Sequence, residues 1–178
     1  GMYDNGLVIG AEILSRLVDW QDRSTCILFG DGAGAAVIGQ VDEGYGLLAS
    51  ELGSDGSLGK ILNIPASGVA EPVTHRAIDS KRIYIHMEGS EVFKAAVRHM
   101  GQTTLSTLEK AGITKEDINM FIAHQANNRI IQSLAKKLSI PSDRMYVNVD
   151  RYGNTSAASA VIALDQAVRA GLVQHRDH

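Results

Sequence analysis

Only one cysteine, Cys26, stands among the 178 residues, and a lone thiol cannot close an internal disulfide. The N-terminus also lacks the basic, then apolar, then small-residue order of a secretion signal, so a reducing cytoplasm is the expected compartment. Proline is scarce, at 3 residues against 18 glycines, while 44% of the chain is hydrophobic and 21% charged. That balance separates it from disordered and collagen-like sequences. Long apolar runs are missing too: residues 33–38 form one of the longest, far below the ~20 residues of a membrane-spanning helix. Nor is positive charge in excess. Seventeen Lys and Arg against 20 Asp and Glu leave a net charge of −3, which offers no field to gather nucleic acid or anionic lipid. Neither nucleic acid nor membrane is therefore an expected partner, and the length suits one domain or a large piece of a bigger one.

What is present reads as α/β. A short apolar run, residues 7–10, precedes residues 12–20, where Ile13, Leu14, Leu17 and Val18 recur at helical spacing. Two more short runs, 26–29 and 35–38, flank a glycine-rich stretch, and 45–50 has the composition of a strand. From 54 to 81 the apolar period is lost and Gly56, Gly59, Pro65, Gly68 and Pro72 punctuate the chain, which predicts a long surface connection. An internal boundary is expected near residue 80, dividing 1–80 from 81–178. Beyond it the spacing predicts a helix over 90–111 stopped by Gly112, a strand over 118–123, a helix over 128–138, a strand over 145–149 and a helix over 155–170 closed by Gly171. Strand alternating with helix predicts a layered sheet with parallel strands.

Two motifs carry less than they first suggest. Gly30-Asp-Gly-Ala-Gly-Ala35 matches the dinucleotide fingerprint G-x-G-x-x-A. A phosphate-binding turn must open a helix, however, and Ala36-Val-Ile-Gly-Gln-Val41 is β-branched and broken by Gly39. A tight turn with close backbone packing is the expectation there. Of six histidines, His75, His86, His99 and His124 share no ligand spacing, and only His175 and His178 lie three apart, in the tail. No metal site is assigned. Cys26, inside an apolar run, is expected to be a buried and unreactive thiol.

The informative pattern is His124 and Asn154. Each polar side chain stands where an apparent strand ends and a helix begins, the edge of a parallel sheet at which ligands bind. Taken singly, His124 reads as structural and Asn154 as an ordinary helix cap; taken together, they read as one site fed by two successive units. In the helix after His124, Ile130, Ile131, Leu134, Ala135 and Leu138 make one apolar stripe, with Arg129, Lys136 and Lys137 away from it. Those cations are either a solvated face or a dock for an acidic partner.

At these residues the chain resembles the C-terminal part of the β-ketoacyl-acyl-carrier-protein synthase III family, condensing enzymes of thiolase-like fold. The resemblance rests on His124-Gln-Ala-Asn-Asn-Arg129, Gly153-Asn-Thr-Ser-Ala-Ala-Ser159, Phe29-Gly-Asp-Gly-Ala-Gly-Ala35 and Glu88-Gly-Ser-Glu-Val-Phe-Lys94. Such enzymes use a Cys-His-Asn triad, where the elongating ketosynthases carry a second His; Asn154 points to type III.

The resemblance implies an α/β thiolase-like fold, incomplete, with the end of the N-terminal half in 1–80 and a truncated C-terminal half in 81–178. It implies transfer of an acetyl or other short acyl group from coenzyme A to a cysteine, followed by decarboxylation and attack by malonyl-acyl-carrier protein, with acyl-CoA as substrate and no further cofactor. His124 and Asn154 would donate hydrogen bonds to the malonyl thioester oxygen. Asn127 would hold the pantetheine arm and Gly89 would line its channel, while Ser90 replaces an Asn common in relatives, which weakens that contact. Arg129, Lys136 and Lys137 match the carrier-docking patch. The nucleophilic Cys and the closing strands would fall outside residues 1–178, so a fragment unable to complete the cycle alone is expected. The alternative is a non-catalytic carrier-binding or assembly module. Residues 7–10 resemble the strand through which the family dimerises, and a homo-oligomer is expected.

Overall fold

In the computed structural model, described for residues 4–175 and 177–178, the longest strands are β1 (Asn5–Ile13) and β2 (Asp31–Gly39). They pair antiparallel in continuous register from Asn5 opposite Gly39 to Ile13 opposite Asp31. Between them lie a 3-10 turn, Leu14–Arg16, and the helical turn α1 (Arg23–Cys26), which Asp22 caps by accepting from the Ser24 N–H. The glycine-rich stretch is thus a strand, not a tight turn. Close backbone packing does occur there. The helix α6 (Ala158–Arg169) lies across β1 and β2. A Cβ on Gly10 would stand 2.7 Å from the Ala157 carbonyl carbon, and one on Gly34 would stand 3.1 Å from Val161. Missing side chains let the helix approach.

The helix expected over 12–20 is absent. Extended backbone runs to Ile13, and Asp31 then holds the 3-10 turn by accepting from the Ser15 N–H at 2.8 Å and the Ser15 hydroxyl at 2.6 Å. The i, i+4 pair Leu14 and Val18 still buries together, against Ile85, with Cys26 and Phe29 packed beside them. No strand forms at 45–50 either: Gly44 and Gly46 take positive φ, and Leu47 stays 86% exposed. The region 54–81 is the long connection expected, broken by a 3-10 turn (Gly56–Leu58), the two-residue β3 (Leu62–Asn63) and α2 (His75–Asp79). β3 pairs antiparallel with β4 (His86–Met87).

The helices of the second half follow their periodicity closely. Helix α3 spans Gly89–Ala111 and ends on Gly112, whose φ of 69° is left-handed backbone that suits glycine. Helix α4 spans Asn128–Leu138, and its apolar stripe is buried: Ile131, Leu134, Ala135 and Leu138 join Ile118, Ala123, Ile140 and Met145, while Met100 and Leu108 of α3 pack against the cluster. Full burial of Ile131 and Leu134 contributes about 1.5–3 kcal/mol each. The two predicted parallel strands meet only as one parallel bridge, Phe121 with Met145; the Phe121 N–H donates to the Arg144 carbonyl at 2.7 Å and the Tyr146 N–H to the Phe121 carbonyl at 3.1 Å. The second strand gives way to the helical turn α5 (Val149–Tyr152). A further parallel bridge joins Phe29 to Asn154. Among the described residues, parallel pairing is therefore confined to these bridges, while the long ladder is antiparallel.

Candidate active site

His124 leaves the Phe121 bridge and stops short of α4, where Asn127 caps the helix by accepting from the Arg129 N–H at 2.8 Å. The intervening Gln125 is fully buried. Its side-chain amide donates to the Ala123 and Tyr146 carbonyls at 3.0 and 3.1 Å, and its oxygen accepts from the Asn148 N–H at 2.9 Å. Asn148 continues to Gln166 at 3.0 Å, and Gln166 reaches the Tyr152 hydroxyl. Gln125 therefore ties the loop that carries His124 to the loop that leads to Asn154.

Asn154 sits in a tight bend. Gly153 before it has φ 67° and ψ −165°, a conformation confined to glycine. The Asn154 N–H donates to the Leu28 carbonyl at 2.8 Å, and its own carbonyl accepts from the Gly30 N–H at 3.0 Å. The side-chain oxygen accepts from the Ser156 N–H at 2.9 Å. This bond fixes the amide's orientation, so the NH2 end is left to donate elsewhere.

Six of the eight sequence-predicted site residues line one cavity of about 560 Å³: His124, Asn154, Asn127, Arg129, Gly89 and Ser90. Its walls are apolar, from Phe29, Met87, Phe93 and Met100 among others. A second cavity of about 290 Å³ shares Phe29, His124 and Asn154 and is lined by Leu14, Leu17, Ile64 and Ile85. The two donors thus stand at the junction of both spaces. Lys136 and Lys137 do not line either cavity. Lys136 is exposed on α4, whereas the Lys137 stem lies over Gly101 of α3 and its ammonium is 3.4 Å from the Val97 carbonyl.

Surrounding protein pushes the His124 pKa below its ordinary 6.5, because burial penalises the charged ring. That shift favours the neutral imidazole. Its Nδ1 lies 2.5 Å from the Ser159 hydroxyl. Among the described residues, no three His, Cys, Asp or Glu side chains gather as a metal site requires. Sequence reasoning missed Gln125 and Ser159 as parts of the site. Gln125 adjoins the histidine and could be suspected for that reason; Ser159 is 35 residues away and gives no local signal.

Among solved structures, the β-ketoacyl-[acyl carrier protein] synthase III of Thermus thermophilus matches with a TM-score of 0.88 at 46% identity, covering 99% of this chain and 54% of that one. The 3-oxoacyl-[acyl-carrier-protein] synthase III of Aquifex aeolicus matches at 0.85 and 46%, covering 98% and 52%. Fold and site together define a protein of the thiolase-like class. The family model for the C-terminal part of 3-oxoacyl-[acyl-carrier-protein] synthase III matches residues 108–178, and the companion model of that synthase matches residues 1–56. The chain belongs to the β-ketoacyl-acyl-carrier-protein synthase III family. Relatives of that name from Caldanaerobacter subterraneus and Desulfitobacterium hafniense strain Y51 are 55% and 51% identical over 177 residues, 99% of this chain and 54% of each relative. The chain spans about half the length of the curated relatives it matches.

Proposed function

We propose that this chain carries the decarboxylating half of a condensing site, acting in the joining of a short acyl group from acyl-CoA to malonyl-acyl-carrier protein. The observation that supports this reading is the meeting of His124 and Asn154 at the junction of two cavities, with the amide NH2 of Asn154 left to donate. In the reaction, the bond from the malonyl α-carbon to its carboxylate breaks and CO2 leaves. The electron pair moves to the thioester oxygen, where the His124 Nε2–H and the Asn154 amide donate to the enolate. The enolate carbon then attacks the acyl thioester, a carbon–carbon bond forms, and the acyl group's thiolate departs. Fixed donors need no reorganisation as that charge develops.

The larger cavity suits the pantetheine arm, with Asn127, Gly89 and Ser90 along it, and the smaller, apolar one suits a short acyl chain. Arg129, on the cavity wall and exposed, suits an acidic carrier protein arriving there, with Lys136 and Lys137 as weaker members of the same patch. Cys26 packs beside Leu14, Val18 and Ile85 and is not the attacking thiol in this reading. That thiol is assigned to family sequence beyond the half matched here, with the boundary between the two thiolase-like halves near residue 80. Acyl-CoA enters as substrate, no cofactor is required, and a homo-oligomer in the cytoplasm is the proposed setting.

The test is release of CO2 from malonyl-CoA and from malonyl-carrier protein. Removing one such donor costs about 10²–10³ in rate, so His124→Ala and Asn154→Ala should each fall by that much. Equal rates in the variants and the parent would overturn the reading. Carrier binding that is sensitive to Arg129→Glu, without any decarboxylation, would instead favour the non-catalytic carrier-binding module.

A further inference from the structure

We propose that Ser159 is the positioning residue that holds His124 in the tautomer with its proton on Nε2, facing the cavity. The inference rests on the reading of His124 as a hydrogen-bond donor to substrate, and it is carried by the bonding of one hydroxyl. Ser159 is the second residue of α6 and is only 2% exposed. Its Oγ lies 3.2 Å from the Gln125 backbone nitrogen and 2.5 Å from the His124 Nδ1.

A serine hydroxyl has one proton to give and two lone pairs. The Gln125 N–H can only donate, so Oγ accepts there. Toward Nδ1 two arrangements exist. If Nδ1 carried the proton, Oγ would accept twice, and its own proton would sit in a dry site with no further acceptor in reach among the described residues. A buried donor left unsatisfied is costly. If the hydroxyl donates to Nδ1, every group is satisfied and the ring's single proton stands on Nε2. The same bond opposes the imidazolium, which needs a proton on both nitrogens. So does the placement of the ring at the first turn of α6, the positive end of that helix. Asn154 stands four residues before the start of α6, so one helix end governs both donors: the bend ahead of it places Asn154 and its first turn sets the proton of His124.

The experiment is nitrogen-15 NMR of the histidine side chains in the full chain at neutral pH, where the two ring nitrogens of a single tautomer resonate far apart. The expected result for His124 is an acceptor-type Nδ1 and a protonated Nε2. In Ser159→Ala the two resonances should move toward each other as the tautomers mix, and Ser159→Thr, which keeps the hydroxyl, should restore their separation. A serine that merely packs would leave the tautomer unmoved. Ser159→Gly, which also removes the hydroxyl, gives the same reading if the alanine variant does not fold. A protonated Nδ1 in the parent chain, or an unchanged spectrum in folded Ser159→Ala or Ser159→Gly, overturns the proposal. The measurement needs no turnover: a decarboxylation assay that fails strikes at the function proposed for the site, and a wrong tautomer strikes at Ser159.

Discussion

The surroundings of His124 favour its neutral ring. Burial lowers its pKa from 6.5, so between the folded and unfolded values the unfolded chain binds a proton that the folded chain does not. Stability then rises with pH through that window. The contribution is fully present above about 6.5, the unfolded value, and is lost as pH falls through the lower, folded value. We expect the His124 ring to titrate with a midpoint below that of free histidine, and acid unfolding of His124→Asn to lose part of the slope just below pH 6.5. A midpoint at or above 6.5 for the ring would show that burial does not govern it. Of the site's residues, His124 and Asn154 are legible in the sequence because each is a polar side chain at what the local pattern marks as a strand-to-helix junction, although only an isolated bridge precedes His124 and the turn α5 precedes Asn154. Ser159 is not, since its bond to His124 crosses 35 residues. Nor are the different surroundings of Arg129, Lys136 and Lys137, because only the packing of α3 on α4 decides which cation lies over Gly101 and which lines the cavity.

At the scale of elements, the glycines of β1 and β2 do the positioning. Because α6 rests almost directly on the sheet backbone, the start of that helix, and with it Asn154 and Ser159, is set by what the strands leave out. A Cβ on Gly10 would meet backbone atoms of Ala157 and Ala158 at 2.7–2.9 Å, which cannot yield alone, whereas one on Gly32 would meet the tip of Ile162 at 3.0 Å and Thr155 at 3.1 Å, both side chains. Overpacking costs about 1–3 kcal/mol. Gly10→Ala should therefore lie at or above the top of that range and reduce site function with it, while Gly32→Ala should fall below it; denaturant midpoints for the two variants compare them directly, and equal losses would contradict the rigid-contact argument. The helices α3 and α4 are plain in the sequence, their bounds lying within a residue of the pattern, since a long amphipathic stripe has one way to bury. Residues 12–20 mislead because Leu14 and Val18 have helical spacing, yet they reach the same apolar cluster through a turn that Asp31 holds from a distant part of the chain. The glycine run misleads in the opposite sense: low side-chain content looks like a turn until a helix is laid upon it.

For the molecule as a whole, the outer part of the β1–β2 pair remains uncovered. Leu7 and Ile9 of β1 are 61% and 62% exposed and Val37 of β2 is 77% exposed. Each strand pairs only with the other, which leaves one hydrogen-bonding edge of each unpartnered among the described residues. A flat apolar strand with a free edge is a template for another chain, and contiguous apolar surface marks an association face. Net charge of only −3 provides little repulsion against such contact. The chain should therefore self-associate through β1 at micromolar concentration, giving sedimentation above the 19.1 kDa of one copy. Ile9→Lys should weaken this without disturbing the site: its side chain is exposed, and a lysine on an edge strand opposes pairing through the charge it would have to bury. The measurement is sedimentation velocity of parent and variant over a range of concentrations, with the histidine spectrum of each as the check that the site is intact. A single 19.1 kDa species that does not change with concentration would sink the argument, because the exposed strands would then be stable in water as they stand.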